Sequence, residues 1–310
     1  MAIDVFALGK RYSNWGKWGA DDERGTTNYI TADKLKQSAA TVRKGKIFSL
    51  GIPFDANGPQ LGPFRNNPVH LMSLDGGDNG AWTARGMGPL RVCDDWVIMP
   101  LQCATQWDGL AHVYYGDHLY NGVSAATVTS SGAEKNSIDK QGEGIVSRGV
   151  LLDIARYKGV DWLAKGELVT AADLDAAAAR QGVMVEPGDV VLMRTGWRTK
   201  YVRDGNRQEF MGGEPGIGVD ALPWLHEKQI AAFASDNWAV EVLPGEDPAT
   251  VLPVHCVAIR DIGLTLGEMF DLDALADDCA EDGVYEFQFM GPVLKVTGAV
   301  GSPINPLALK

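Results

Sequence analysis

The sequence predicts one mixed α/β domain built around a barrel-like sheet, and three observations carry that prediction. Short apolar runs bounded by turn residues recur at irregular spacing and outnumber the helical segments between them, the pattern of a mixed barrel rather than a doubly wound sheet. No internal repeat, low-complexity tract or Pro/Gly/Ser linker divides residues 1–310. Neither GxGxxG after a strand nor a GxxxxGK[ST] loop is present, so no nucleotide cofactor is expected.

In chain order, residues 1–30 are rich in Trp, Gly and Asp and read as an irregular arm. A helix is expected next, with Thr31 as its cap, Lys34–Val42 as its body and Gly45 as its stop. Alternation over Ile47–Phe54 reads as a strand. Gly58–Gly88 is crowded with Gly, Pro, Asn and Asp and has no sustained period, so a long loop is expected there, of the kind that covers a site or reaches a partner subunit. Strands are expected at Asp95–Leu101, Gly149–Ile154, Asp189–Arg194, Ile230–Ser235, Val284–Phe289 and Val293–Thr297. Helices are expected at Ala171–Arg180, with Thr170 and Asp173 as a capping pair and Gly182 as the stop, and around Val219–Gln229.

Composition bounds the function. The formal net charge of -12, from 28 Lys+Arg against 40 Asp+Glu, repels phosphate backbones and anionic lipid, and no basic run reverses it locally. Nucleic-acid and membrane partners are therefore not expected. The first thirty residues lack the apolar core of a signal peptide, and no stretch approaches about 18 consecutive apolar residues, so a cytoplasmic protein is expected. The four cysteines, Cys93, Cys103, Cys256 and Cys279, have no CxxC spacing and read as reduced thiols. With only five histidines, His70, His112, His118, His226 and His255, carboxylates and amide oxygens must supply much of any metal shell.

The densest polar constellation is Gln102-Cys103-Ala104-Thr105-Gln106-Trp107-Asp108-Gly109-Leu110-Ala111-His112, directly after the apolar run Trp96–Leu101. If extended geometry persists, Gln102, Ala104, Gln106 and Asp108 share one face, converging two amide oxygens and a carboxylate. Such hard oxygen donors suit Mg, Mn or Zn, and His112 could add an imidazole ligand or a proton shuttle. The plainer alternative is that the glutamines pair with backbone at a strand end while Asp108 caps the turn at Gly109.

This segment resembles the HxGTHxDxxxH signature of the metal-dependent cyclase hydrolases, which include bacterial kynurenine formamidase and isatin hydrolase. Thr105, Asp108 and His112 match; Gln102 and Gln106 stand at two histidine positions and Ala104 at the glycine. Four further segments are similar in the same order: Arg148–Ala155; Pro187–Leu192 with Arg194–Trp197; Leu252–His255 with Gly263 and Glu268; and Gly301–Pro303. The likeness runs over residues 90 to 310, and the arm with Asn14-Trp15-Gly16 and Gly25–Asn28 resembles a longer-chain subgroup.

The resemblance implies a swivelling β/β/α barrel-like single domain, a homodimer or homotetramer, and hydrolysis of an N-formyl or N-acyl arylamine or a cyclic amide. It implies Asp108, His255 and Glu268 as ligands of a divalent ion and His112 as general acid/base. Gln102 and Gln106 lie where relatives hold a first ion with histidines. One ion is therefore expected, Mn or Zn, with Mg an option for so hard a shell. A lactone hydrolase of aromatic catabolism and a metal-stabilised binding protein without turnover remain alternatives. The substrate is expected to be a small aromatic or cyclic molecule, with Trp107, Tyr114 and Tyr115 as an apolar wall or as core or dimer packing, and His70 reaching over the site from its loop. His118 and His226 read as surface residues. Asp153 and Asp236 read as buried structural carboxylates or as support for a ligand, and the acidic run Asp271–Asp282 as a solvated helix start and loop.

Overall fold

The computed structural model describes residues 2–310 and centres on a nine-stranded, strongly curled half-barrel sheet. Its strand order is Ile47–Ser49, Leu307–Leu309, Glu286–Gly291, Ile145–Asp153, Val190–Arg194, Ala232–Ser235, Thr265–Glu268, Gln106–Asp108 and Gly301–Pro303. The four strands from Ile145 to Glu268 run parallel to one another, and the flanking pairs are antiparallel. The mixed α/β prediction therefore holds.

Both faces of the central strands are buried, as their near-continuous apolar sequences require. Val150, Leu152, Val191, Met193, Phe233 and Leu266 face one core, which holds side chains of helices Ala171–Gln181, Leu222–Glu227 and Pro253–Val257. The alternate residues Leu151, Val190, Leu192, Ala232 and Ala234 face a second core around Trp107, Phe270, Phe287 and Phe289. A fully buried side chain of this kind contributes about 1.5–3 kcal/mol by leaving water.

Local signals set the helix limits. Thr170 and Asp173 close a reciprocal capping box on Ala171–Gln181, and Gly182 ends that helix at φ 67. Thr31 caps Ala32–Ala39 by accepting from the Lys34 amide. The expected helix around Val219–Gln229 is a turn of 3-10 helix, Val219–Ala221, followed by Leu222–Glu227.

Five expectations need correction. The N-terminal arm is not wholly irregular: it holds helix Val5–Tyr12, capped by Asp4, and a 3-10 turn at Gly25–Tyr29. The expected loop Gly58–Gly88 contains strand Val69–Leu74 and helix Asn79–Ala84. That strand pairs only with Asp94–Ile98, so the run expected to lead into the motif belongs to a separate hairpin. Its residues are largely exposed on both faces, which is why no apolar alternation marked it. Val293–Thr297 is not a strand; Pro292 brings no amide donor and the Leu294 amide bonds the Ser302 hydroxyl instead of a ladder partner. Finally, Asp273–Asp282 is a full helix, and its Asp278 is buried against lysines rather than solvated.

Candidate functional site

The motif reaches the site by a route different from the extended one. Residues 101–104 turn, and the strand proper is only Gln106–Asp108, inserted between Thr265–Glu268 and Gly301–Pro303. Alternation then sends Gln106 and Asp108 one way and Trp107 the other. Antiparallel register sets Glu268 directly opposite Gln106, and the Gln106 Nε2 donates to Glu268 Oε2 at 2.6 Å. Gly267 makes this pairing possible: a Cβ there would lie 2.4 Å from the Trp107 ring and 2.7 Å from Ala234.

His255 arrives from a different element. Helix Pro253–Val257 starts after Leu252, and the buried Glu241 carboxylate accepts from the amides of Val254 and His255 at 3.0 and 2.9 Å, neutralising its amino end. The same carboxylate takes Nδ1 of His255 at 2.6 Å, which turns Nε2 towards Asp108 Oδ2 at 3.8 Å and Glu268 Oε1 at 3.4 Å. Ligand atoms of Asp108, His255 and Glu268 all lie within 4.8 Å of one another, and all three residues are buried. Val240, Leu252 and Met269, at φ 62, 55 and 57, hold left-handed backbone beside Glu241, before the His255 helix and beside Glu268. Such conformations cost of order 1–3 kcal/mol each and persist only where the surroundings enforce them.

These donors fit a divalent cation. The buried oxygens Asp108 Oδ2 and Gln106 Oε1 have no hydrogen-bond partner, a costly state that a cation relieves. Burial, and then the neighbouring Asp108 charge, push the Glu268 carboxyl up to about 7. For His255 burial acts downward, but the Glu241 and Glu268 carboxylates outweigh it and raise the imidazole to about 10. Both shifts belong to an acid pair lacking a positive charge, and a divalent ion supplies it.

His112 follows the turn at Gly109 and lines a cavity of ≈ 510 Å³ with His255, Glu268, Arg65, Phe64, Val113, Met211, Trp238 and Leu252. Its Nε2 lies 3.7 Å from Asp108 Oδ1 and 3.3 Å from Arg65 Nη2. A guanidinium has no lone pair to offer, so in this contact Nε2 is the acceptor and His112 is neutral with its proton on Nδ1. Burial, reinforced by Arg65 and opposed by Asp108, lowers its pKa.

The remaining candidates lie elsewhere. Gln102 precedes the strand: its carbonyl accepts from Arg65, and its side chain lies over Gly301 rather than beside Asp108. Trp107 gives no substrate wall, because it packs between Phe270 and Phe289 and donates to the Gly291 carbonyl. Tyr115 binds Asp261 and the Val5 carbonyl and packs on Phe6. His70 does not reach over the site; it sits on the exposed hairpin paired with Asp95 at 2.6 Å. Asp153 pairs with Arg194 and caps the next helix, and Asp236 accepts from Thr195 and Gly196. Sequence reasoning missed Arg65, Glu241 and Trp238. Only Glu241 carried a signal, as an acid between two apolar residues, Val240 and Val242.

The curled mixed sheet thus carries a buried Asp/His/Glu cluster that could hold a metal ion, with His255 and Glu268 lining a cavity. Comparison with known proteins identifies the family. The cyclase family model matches residues 48–242. A crystal structure described as a novel cyclase is 43% identical, covers 97% of this chain and 99% of its own, and superposes with a TM-score of 0.90. Isatin hydrolase A of Labrenzia aggregata, at 17% identity over 89% of this chain and 97% of its own, shares the fold with a TM-score of 0.62. So does a predicted metal-dependent hydrolase of Bacillus stearothermophilus, at 16% identity over 85% of this chain and 97% of its own, with a TM-score of 0.53. Comparison with curated proteins gives no match. The chain belongs to the cyclase family.

Proposed function

We propose that the protein hydrolyses a small aromatic or cyclic amide, an N-formyl or N-acyl arylamine or a cyclic amide, with one divalent ion held by Asp108, His255 and Glu268 and with Gln106 beside it. The observation that carries this reading is the pair of unpartnered buried oxygens, Asp108 Oδ2 and Gln106 Oε1, beside a cavity lined by the neutral imidazole of His112. Manganese or zinc is the ion proposed, the oxygen donors keeping magnesium as a third candidate.

When bound, such an ion supplies Lewis acidity towards a carbonyl and lowers the pKa of water. The residues supply the rest. Glu241 fixes the His255 tautomer by taking its Nδ1 proton in a hydrogen bond, leaving Nε2 as the donor atom for a metal. His112, neutral and only partly exposed, takes the proton of the attacking water at Nε2, the water replacing the Arg65 contact there, and returns it to the leaving nitrogen. Phe64, Met211, Trp238 and Leu252 provide the apolar wall that the ring of such a substrate needs.

The test is a screen of formanilides, isatin-like imides and aryl lactones with the purified protein before and after chelation. Turnover of an amide that disappears on chelation and returns with Mn or Zn is the expected result. Turnover of lactones alone would replace the amide reading with the lactonase one, and no turnover of any of the three would leave a metal-stabilised binding protein. Among the described residues no helix is long and apolar enough to cross a membrane, and a cytoplasmic site of action is part of the proposal.

A homo-oligomer is proposed as well. The hairpin of Val69–Leu74 and Asp94–Ile98 exposes Val69, Leu71, Met72, Trp96, Val97 and Ile98 and pairs with no other strand. An isolated two-stranded hairpin is marginal in water, and its free edges suit the same edges of a second copy about a two-fold axis. Light scattering should find a dimer or larger, shifted towards monomer by Trp96→Glu; a monomeric parent protein would contradict this.

A further inference from the structure

Arg65 is the one Lys or Arg among the residues lining the metal-side cavity. The segment that bears it is tied to the motif's backbone. Gln60 Nε2 donates to the Cys103 carbonyl at 3.1 Å, Asn67 bonds Gln60 through both its side-chain oxygen and nitrogen, and the Gly62 amide donates to the Arg65 carbonyl at 2.9 Å. Arg65 Nη1 then donates to the Gln102 carbonyl at 3.1 Å and Nη2 approaches His112 Nε2 at 3.3 Å. The guanidinium therefore stands next to Gln102, one of the two positions at which the motif lacks a histidine.

Five N–H donors belong to a guanidinium, and these two contacts use two of them. The side chain is 30% exposed, and its nearest carboxylate oxygen, Glu268 Oε2, is 3.8 Å away, too far to be a hydrogen bond. A fixed cation with donors to spare thus borders a wall made of Phe64, Val113, Met211, Trp238 and Leu252. An aliphatic or aromatic body satisfies that wall, and an anionic oxygen pair satisfies the fork. One guanidinium fork matches one carboxylate, so the ligand should present a single carboxylate there.

We propose that Arg65 makes this cavity a monocarboxylate site, with the ligand's carboxylate on the free edge of the guanidinium and its apolar body against Met211, Trp238 and Leu252. This rests on the proposed function only in taking the same cavity as the substrate's. It narrows the substrate class to an amide whose acyl or aryl part bears a carboxylate within reach of Arg65.

The test compares benzoate with benzamide, which has the same shape and no charge, by calorimetric titration of the protein as purified and after chelation. Benzoate should bind at least tenfold more tightly, in both preparations. Arg65→Met should remove that preference and Arg65→Lys should keep part of it, with metal content and circular dichroism unchanged in both. Equal binding of the two probes by the parent protein overturns the proposal without any variant. A benzoate preference that survives Arg65→Met but vanishes on chelation also overturns it, since the carboxylate is then held by the ion. If no amide is ever turned over while the Arg65-dependent preference is intact, the amide-hydrolase reading fails and the carboxylate site stands.

Discussion

Asp108 and Glu268 are two buried carboxylates on adjacent strands whose charges oppose each other. Gln106 donates to both, at 3.4 and 2.6 Å, but a neutral amide cannot cancel their charge. The proposed divalent ion between them would balance that charge. In the proposed reaction His112 carries the proton transfer, and replacing it with Ala should cut turnover about 10²–10⁴-fold while leaving metal content unchanged, measured by steady-state kinetics alongside elemental analysis. At this scale the sequence was readable where chemistry-bearing types fell at motif spacing, as with Asp108, His255 and Glu268, which the fold brings together. Arg65 was not, because nothing local distinguishes an arginine in a segment without period; only tertiary placement sets it beside His112. Trp107 was misplaced for a related reason. Adjacency to the motif suggested the cavity, whereas strand alternation turns the residue into the aromatic core.

Among the elements, those with explicit end signals were the legible ones. The helix Ala171–Gln181 was marked at both ends, and its capping box should be measurable: Thr170→Ala should cost about 1 kcal/mol in urea denaturation, with the m-value unchanged. The hairpin's first strand, Val69–Leu74, was read as loop because a strand exposed on both faces writes no alternation into its residues. The strand expected at Asp95–Leu101 is present as Asp94–Ile98 but does not lead into the motif. Its apolar run is real, but it serves the hairpin, and the motif strand of three residues is too short to have a period of its own. Left-handed backbone at Val240, Leu252 and Met269 had no sequence sign either, since each of these residues disfavours it. Gly267→Ala should lower stability and metal content together, because the added methyl displaces Trp107 or the strand that carries Glu268. Unfolding curves and elemental analysis of the one variant check both.

For the whole molecule, the mixed α/β class followed from counting elements, whereas the strand order did not, because pairing partners distant in sequence are chosen by packing. The edge formed by Ile47–Ser49 and Leu307–Leu309 shows this. There Lys310 is buried with Asp278 and Asp282, and Lys44 and Lys46 add further pairs with the same two acids. Burial opposes ionisation of Asp282, but the bonds from Lys44, the Val284 amide and Lys310 prevail and bring its carboxyl from 3.8 down to about 2. A depressed carboxyl contributes stability that is complete above its unfolded value and is lost as pH falls towards about 2. The urea midpoint should therefore fall between about pH 5 and pH 2, and Asp282→Asn should lower the midpoint at neutral pH and flatten that fall. A pH dependence identical in the variant would remove Asp282 from the account.

The account turns on a divalent ion held by Asp108, His255 and Glu268, and the most direct measurement is elemental analysis of the freshly purified protein beside Asp108→Asn and Glu268→Gln. About one ion of Mn, Zn or Mg per chain is the expected content, lost in each variant while circular dichroism shows both folded. A parent protein without any such ion, or variants that both retain it in full, would contradict the assignment.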